Sequence, residues 1–578
     1  MSTRRIRTRL FVLAAALAAA LGVMLSTVTS PLADAAALRV QSRSSTDVTA
    51  DALPTVQIDG VVWTQVVVGN TVYAGGRFGY ARPAGAAPDQ QRTRRYNILA
   101  FDIRTGELVT TFAPKVNGVV HTLAKSPDGK TLYLGGEFTS VNGSKRSRFA
   151  AVSTDRGALR GIAPAFNSHV RVIMAVGDKV FVGGSFTRVG KAKRSRLAVL
   201  NARTGKVGSW APKADNYVRA MTVTPDRKSV VVGGAFRKLN KTSVYGMGKL
   251  SVKSGKVRSW AASSTIRNYG QKSAITSLTT DGVKIYGSGY KYGGGNYEGA
   301  FALDPRTGRI LWLQDCRGDT YQVAVANNRV YSVGHAHNCQ SIGAFGEVKP
   351  LAYRVLAATT NATGKVVPNS NPSYNEFVGR PAPSLVNWFP ELTPGSFTGQ
   401  SQAAWSVVAT GSYVVLGGEF TAVNGVRQQG LVRFPAQRLA PNKQGPFGTG
   451  SASAPSVETR ADGTATIRWR AGYDRDDQNL SYTVLRNGVA VGALSAVSQF
   501  WNRPNLSFID AGLKAGTKYK YEVLISDPDS NTAVTGSTTV ITAAAAQAPA
   551  AAAPDDTSTE EMAADADSPS TPVPADGQ

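Results

Sequence analysis

The chain has 578 residues, which exceeds the usual size of one domain and predicts several. An apolar content of 42% and a charged content of 18% are those of a globular protein and exclude a disordered or coiled-coil chain. The net charge of +27 makes the protein strongly basic, and two cysteines exclude a multi-cysteine zinc module or a domain built from disulfides.

The first 35 residues have the pattern of a secretory signal. Four arginines precede the apolar run Leu10 to Leu25, and Ala33-Asp34-Ala35 supplies a small-x-small cleavage site. This run is shorter than the ~20 residues that a membrane-spanning helix needs, so we expect cleavage rather than anchoring. The sequence therefore predicts a signal peptide at 1–35, a linker at 36–52, and a secreted, extracellular or cell-wall-associated protein without a membrane span.

An internal repeat fills residues 53–442, where a Gly-Gly-x-aromatic element recurs after a short β-rich run. Five copies are complete: Gly75-Gly76-Arg77-Phe78, Gly135-Gly136-Glu137-Phe138, Gly183-Gly184-Ser185-Phe186, Gly233-Gly234-Ala235-Phe236 and Gly417-Gly418-Glu419-Phe420. Two copies are degenerate: Gly287-Ser288-Gly289-Tyr290 and Gly334-His335-Ala336-His337. A bulky apolar residue ends the fourth strand of each unit: Phe112, Ile162, Trp210, Trp260, Trp312, Trp388 and Leu439.

Four short strands per unit, separated by glycine turns, are typical of a propeller blade. We therefore expect an all-β chain with a seven-bladed β-propeller, and an eight-bladed propeller or a β-solenoid is the alternative. The glycines would let strands approach closely, and the bulky residues would fill the space between blades. The local pattern does not decide how the ring closes or what residues 341–384 do.

A Gly/Ser/Ala-rich linker at 443–455 separates the repeats from a second β domain at 456–543, and it predicts two independently moving bodies. Trp469 lies in an early strand, Asn487-Gly488 is a hairpin turn, and Tyr519 is the candidate corner tyrosine. From residue 544 to 578 the tail is rich in Ala and Pro, acidic, and predicted to be disordered. Removing its seven acidic residues and the net three positive charges of the signal leaves a body of +31.

The repeat units resemble the delta-60 β-propeller repeats of exported actinobacterial proteins that also carry a fibronectin type III domain. The form D-G-x-x-L/V-Y-x-G-G-x-F-T-x-V-N-G at Asp128 to Gly143 carries this resemblance. It implies the fold and export but no established reaction, and no laminin-G-like domain of that family is visible. The run Ala300 to Trp312 is also similar to pyrroloquinoline-quinone-type repeats, but without ligands for a quinone or metal it predicts only blade architecture.

Cys316 and Cys339 lie beside three residues that are able to bind metal. In an exported chain the two cysteines predict a disulfide. Asp319, His335 and His337 form the alternative, a metal site, because alternation would place both histidines on one face of a strand.

Charged loops provide two further candidates. Basic residues follow the Gly-Gly-x-Phe strands and would share one face of a propeller: Lys145, Arg146, Arg148, Lys191, Lys193, Arg194, Arg196, Arg237, Lys238, Lys241 and Arg427. They predict either a solvated surface or contact with an anionic polymer. Asp474, Asp476 and Asp477 predict a solvated acidic turn, with calcium as the alternative ligand.

These observations favour a non-catalytic, exported binding or adhesion protein for anionic or neutral polysaccharide or cell-wall polymer. Export disfavours nucleic acid as the partner, no cofactor other than a metal ion is indicated, and the oligomeric state is not indicated. The alternative is a carbohydrate-active hydrolase or lyase on the propeller's central face. Such an enzyme needs two convergent carboxylates, and the sequence does not place them.

Overall fold

The computed structural model describes residues 44–349 and 352–543. The predicted signal at 1–35, the start of the predicted linker and the tail at 544–578 lie outside this range. Within it the chain is almost entirely β, as the sequence predicts, and none of its helices is long and apolar enough to cross a membrane. The described helices are Ala262–Thr265 and four 3-10 turns, Gln340–Ile342, Pro372–Phe377, Gln437–Leu439 and Ser451–Ser453.

Seven antiparallel sheets of three or four strands, numbered here in chain order, occupy residues 61–435 of the described chain. Their first strands are Val61–Val68, Val120–Lys125, Val170–Val176, Val218–Val223, Ser273–Thr280, Thr320–Ala326 and Ala404–Ala409. Their second strands are Thr71–Arg77, Thr131–Gly136, Lys179–Gly184, Ser229–Gly234, Ile285–Lys291, Arg329–Ala336 and Tyr413–Gly418. Their third strands are Ile98–Asp102, Phe149–Ser153, Leu197–Asn201, Met247–Ser251, Gly299–Leu303, Tyr353–Thr359 and Leu431–Pro435.

The fourth position of each sheet is less regular. Sheets 4 and 5 have the strands Val257–Arg258 and Ile310–Gln314, and sheets 1, 2, 3 and 6 have single bridges. Short strands and hairpins lie outside the seven sheets: Gln57–Ile58, Tyr80–Arg82, Thr93–Arg94, Ser140–Val141, Ser144–Lys145, Arg188–Val189, Ala192–Lys193, Lys238–Leu239, Thr242–Ser243, Gly364–Lys365, Pro381–Ala382, Leu392–Thr393, Ala422–Val423 and Val426–Arg427.

The sheets form a closed ring, which is the arrangement of a β-propeller. The first strand of each sheet contacts the first strand of the next, and that of sheet 7 contacts that of sheet 1. The segment preceding sheet 1 completes sheet 7, because Thr49 N donates to Pro435 O and Leu53 N donates to Arg433 O. Residues 48–52 are therefore part of a sheet and not of a linker, and this pairing closes the ring.

The bulky fourth-strand residues lie between neighbouring sheets, as the sequence predicts. The indole of Trp210 donates to Ser251 O of the next sheet at 2.9 Å, and that of Trp388 donates to Thr49 O at 2.9 Å. Leu439 is the exception, since it is 46% exposed. It follows sheet 7, whose outer position is taken by the N-terminal segment, and so it has no gap between sheets to fill.

Each glycine of the Gly-Gly pair faces a different neighbour. A Cβ on the first glycine would meet the first strand of the next sheet, as for Gly135 and Val170 Cγ1 at 2.5 Å. A Cβ on the second glycine would meet a carbonyl oxygen of its own sheet, as for Gly136 and Val119 O at 2.0 Å. The pair is needed because backbone and side chains approach closely on both sides.

Residues 456–541 form two facing antiparallel sheets. One contains Ser456–Thr459, Ala465–Arg470 and Asn505–Asp510, and the other contains Asn479–Arg486, Val489–Val497, Lys518–Ser526, Thr532–Val534 and Thr538–Ile541. Trp469, Tyr482 and Tyr521 lie in the core between them. The hydroxyl of Tyr519 accepts a hydrogen bond from Lys514 N at 3.1 Å, which is the contact of a tyrosine corner.

The sandwich packs against the ring, which corrects the expectation of two independently moving bodies. The ring of Phe500 lies 4.5 Å from that of Tyr353 and 5.0 Å from that of Phe389. Phe389 N donates to Arg475 O at 2.8 Å, and Arg475 pairs with Glu391 at 3.0 Å. The composition of the linker predicts a flexible segment, but it does not show the apolar contacts that hold the sandwich against the ring.

Candidate functional site

A β-bulge at the start of every first strand builds the central pocket. In each sheet the register shifts by one residue opposite the Gly-Gly position, so that one extra residue leaves the ladder. We call these extra residues the bulge residues; they are Trp63, His121, Arg171, Arg219, Thr276, Tyr321 and Trp405. All seven line one pocket of about 420 Å³ at the centre of the ring.

The strand pairing also shows that the alignment of the two degenerate repeats by their Gly-Gly-x-aromatic motif is wrong by one residue. Gly334 pairs with Thr320 beside the bulge, so it occupies the position of the second glycine and not of the first. Gly289 occupies the second position in sheet 5 in the same way. A Cβ on Gly334 would lie 2.1 Å from Asp319 O, which explains why glycine persists there.

One half of the pocket wall is aromatic. The rings of Trp63 and Trp405 are 4.8 Å apart, and those of Trp405 and Tyr321 are 4.2 Å apart. These three bulge residues come from sheets 1, 7 and 6, which are consecutive in the ring. Extended aromatic faces of this kind offer a large contact area at a low cost in conformational entropy.

The other half of the wall is polar and positively charged. Arg171 and Arg219 are neighbouring bulge residues, and no Asp or Glu of the described residues lines the pocket. Arg171 Nε donates to Ser185 Oγ at 3.1 Å, and its guanidinium lies 5.2 Å from the ring centre of Tyr217. Burial and the nearby charge of Arg219 lower the pKa of Arg171. An anion in the pocket would relieve this repulsion.

A histidine pair flanks the cationic half. His121 Nε2 lies 2.8 Å from Glu137 Oε1, and His169 Nδ1 lies 3.3 Å from the same oxygen. Burial lowers the pKa of His121 despite this carboxylate. Burial alone would raise the pKa of Glu137, but the hydrogen bond from His121 and the charges of His169 and Arg171 lower it overall. Glu137 is therefore an anionic hydrogen-bond acceptor that orients His121.

In several repeats, the side chain that follows the Gly-Gly pair forms a hydrogen bond with the bulge residue of the same sheet. Glu419 is 1% exposed and accepts hydrogen bonds from Trp405 Nε1 at 3.0 Å, Thr398 N at 2.7 Å and Thr398 Oγ1 at 2.6 Å. Glu137 and Glu419 are thus engaged with their own bulge residues, and neither lines the pocket. They do not form the convergent carboxylate pair that a glycosidase needs.

The structure does not bring His335, His337 and Asp319 together as metal ligands. His335 Nε2 accepts from Asp319 N at 3.4 Å, and its Nδ1 lies 3.1 Å from the Tyr321 hydroxyl. The strand ends at Ala336, so His337 no longer follows the alternation, and it contacts Glu347 at 2.8 Å. Burial, followed by the charge of Arg354, lowers the pKa of His335 to about 4.

Cys316 and Cys339 are paired, with an S–S distance of 2.06 Å. The predicted disulfide is therefore present. It joins the segment before the first strand of sheet 6 to the segment after its second strand, and both cysteines are buried in a cluster with Phe345 and Phe389. The pairing agrees with an oxidising compartment.

The predicted basic loops separate into two groups. The exposed members are Lys145, Lys191, Lys193, Arg237, Lys238, Lys241 and Arg427. The half-buried members instead satisfy backbone carbonyls; Arg148 donates to Phe166 O at 3.0 Å and Arg196 donates to Ala214 O at 3.2 Å, and Arg146 and Arg194 make similar bonds. The hairpins follow the second strands, at the end of each sheet where the bulge lies, so the exposed charges share a face with the pocket mouth.

Asp474, Asp476 and Asp477 are 1%, 5% and 2% exposed, so the expectation of a solvated turn is wrong. They are covered by the ring, because Ala50 N donates to Asp476 Oδ2 and Asn387 Nδ2 donates to Asp474 O. Burial, together with the charge of Asp476, raises the pKa of Asp474 to about 8.

Sequence reasoning missed the bulge residues. The available signal was a polar or aromatic residue at one position of every first strand, as in Val61-Val62-Trp63-Thr64 and Val119-Val120-His121-Thr122. Aligning the repeats from their first strands, rather than from their glycines, would have shown that this position varies while the residue before it stays largely apolar.

No protein-family model matches the chain, and no curated protein matches it. Among solved structures it is similar to the crystal structure of the RRP9 WD40 repeats, with a TM-score of 0.39 and 10% identity over 67% of this chain and 99% of that one. It is also similar to the computationally designed Ika8 protein, with a TM-score of 0.34 and 12% identity over 84% of this chain and 99% of that one.

Proposed function

We propose that this is an exported binding protein that takes an acidic saccharide group of a polysaccharide or cell-wall polymer into its central pocket. The seven sheets would be the seven blades of the propeller, and the sandwich would be a fibronectin type III-like domain docked to them. The observation that carries the proposal is the pocket wall, which combines three aromatic rings with two guanidinium groups and, within the described part of the chain, no carboxylate.

Each half of the wall suits one part of such a ligand. Sugar rings present apolar C–H faces that pack on aromatic side chains, and Trp63, Trp405 and Tyr321 form one continuous aromatic surface. A carboxylate is recognised in bidentate fashion by guanidinium groups, which Arg171 and Arg219 supply. The exposed lysines around the mouth would attract neighbouring charges of the same polymer.

Export is supported by the predicted signal at 1–35 and by the buried disulfide. A disulfide of this kind persists in oxidising compartments and is rare in the cytosol. Detection of the mature chain in the culture medium or wall fraction, beginning near residue 36, tests this part of the proposal. Retention of the full-length chain inside cells would contradict it.

Tryptophan fluorescence tests the pocket directly, because two of its wall residues are tryptophans. Titration with tetragalacturonic acid should change the emission, whereas the neutral galactose tetramer should bind at least tenfold more weakly. Arg171→Ala should weaken acid binding about tenfold or more, and Arg203→Ala, an exposed turn residue, is the matched control. Equal binding of acidic and neutral oligomers would refute the proposed ligand class.

The same samples separate binding from catalysis. Binding without release of new reducing ends or unsaturated products supports a binding protein. Release of products from the acidic oligomer would instead support the alternative, a hydrolase or lyase, and would direct attention to carboxylates outside the pocket wall.

A further inference from the structure

A second site lies in the sandwich loop between the strands Ala465–Arg470 and Asn479–Arg486. Within the described residues, Asp474, Asp476 and Asp477 are the one group of metal-binding side chains with three ligand atoms within 4.8 Å of one another. All three are more than nine-tenths buried. Burying several carboxylates together costs several kcal/mol unless a cation or hydrogen-bond donors compensate their charge.

Only one of the two oxygens of the Asp474 carboxylate accepts hydrogen bonds from the described residues. Its Oδ1 accepts hydrogen bonds from Asp476 N at 3.0 Å and Asp477 N at 3.3 Å, which folds the loop around it. Its Oδ2 is buried and has no hydrogen-bond partner within residues 44–349 and 352–543. A buried carboxylate oxygen without a donor is the kind of ligand atom that a hard cation binds.

An independent observation comes from the ring. Asn387 is 6% exposed and donates from Nδ2 to Asp474 O at 3.2 Å, which fixes its amide against the acidic loop. Its Oδ1 is also buried, and no other described residue donates to it. Asn387, Asp476 and Asp477 line the same cavity of about 400 Å³, which leaves room for an ion and its water ligands.

We propose that this loop binds one calcium ion through Asp474, Asp476, Asp477 and the amide oxygen of Asn387. The available donors are all oxygens, which favours a hard cation over zinc or copper. Calcium accepts six to eight oxygen ligands in irregular geometry, so water in the cavity completes its shell, whereas magnesium needs a near-ideal octahedron. Since Asn387 and Ala50 belong to the ring, the ion stabilises the docking of the sandwich.

The test uses the full mature chain after removal of metals with EDTA. Isothermal titration with calcium chloride should show one site, with a dissociation constant between about 1 µM and 1 mM, and magnesium chloride should bind at least tenfold more weakly. Calcium at a hundredfold excess over that constant should raise Tm of the full mature chain by about 3 °C. Absence of calcium binding and of a Tm shift would overturn the proposal.

Two variants assign the site. Asp474→Asn should abolish the calcium-dependent Tm shift without lowering the Tm of the metal-free protein, because the amide oxygen of asparagine still accepts from Asp476 N and Asp477 N. Asn387→Ala should weaken calcium binding severalfold, and Asp178→Asn, which changes an exposed aspartate of the ring, should leave it unchanged. Unaltered calcium binding in Asp474→Asn would overturn the assignment.

Discussion

The second glycine of each repeat provides a direct test of how the pocket is built. In Gly136→Ala the new Cβ would lie 2.0 Å from Val119 O, 3.0 Å from its carbonyl carbon and 3.1 Å from Val120 Cα. All three are backbone atoms of the bulged strand, so no rotamer change relieves the contact. The strands must separate by about 1 Å, which strains the hydrogen bonds on both sides of His121.

The expected cost is about 3 kcal/mol in the free energy of unfolding, from overpacking and from one or two weakened hydrogen bonds. Gly135→Ala should cost about 1–2 kcal/mol, because its Cβ meets side-chain atoms of Val170 and Thr122 that can move. In Gly161→Ala the Cβ meets no described atom within 4 Å, and φ is not positive, so the change should stay within about 0.5 kcal/mol.

Urea unfolding followed by tryptophan fluorescence and circular dichroism measures all three variants under one condition. The order of destabilisation should be Gly136→Ala, then Gly135→Ala, then Gly161→Ala. Gly136→Ala should also weaken binding of the acidic oligomer, because it displaces His121 from the pocket wall. A Gly136→Ala protein as stable as Gly161→Ala would refute the assignment of the second glycine to the bulge.

Three further changes probe the site and its support. Glu419→Gln removes the anionic acceptor of Trp405 and should cost about 2 kcal/mol and shift tryptophan emission, as urea unfolding and fluorescence would show; unchanged emission would exclude this positioning role. The folded pKa of His335 is about 4 and lies below its unfolded value, so its stabilisation is complete above pH ~6.5 and is lost as pH falls through 4. His335→Gln should therefore reduce the loss of unfolding free energy over this pH window by up to roughly 3 kcal/mol. A pH profile of stability parallel to that of the unsubstituted protein would contradict this prediction. Replacing Cys316 and Cys339 by alanine opens a loop with a separation of 23 residues and should lower stability by roughly 3 kcal/mol in thermal unfolding, whereas a change below 1 kcal/mol would contradict the expected cross-link.

The repeat is readable from the sequence because its second glycine meets a backbone carbonyl in sheet after sheet. A requirement set by the backbone is independent of the neighbouring side chains, so all seven sheets of the described chain keep this glycine. The glycine motif aligns the degenerate copies one residue away from the observed register, since only the position beside the bulge, Gly289 or Gly334, keeps its glycine.

The pocket residues could not be read in the same way. Arg171 stands in the run Val170-Arg171-Val172-Ile173, where simple alternation assigns it to a solvent-facing position of a strand. A bulge adds one residue and changes which way the following side chains point, so the alternation rule gives the wrong face at this position. The bulge depends on pairing with Gly183 and Gly184, which lie more than ten residues away.

Closure of the ring and burial of the acidic loop depend on contacts between residues that lie still farther apart in the sequence. Residues 48–53 contribute mainly backbone groups to sheet 7, and backbone pairing leaves no pattern in the side chains. The loop at Asp474 has the composition of a solvated turn, because nothing local shows that Ala50 and Asn387 cover it. Such contacts join residues separated by 87 to 426 positions, beyond the reach of local pattern.

Because of the bulge, the residues that pack the sheets together are different from the residues that line the pocket. The first glycine accommodates the next sheet and the second accommodates the bulged backbone, so both are fixed by packing. The bulge residue has left the ladder, and its side chain points into the pocket instead of between sheets. This position therefore holds Trp, His, Arg, Thr and Tyr in different sheets while the residue before it stays largely apolar. One repeated backbone unit can thus carry a pocket with an aromatic half and a cationic half, because the chemistry of each bulge residue is not constrained by the core.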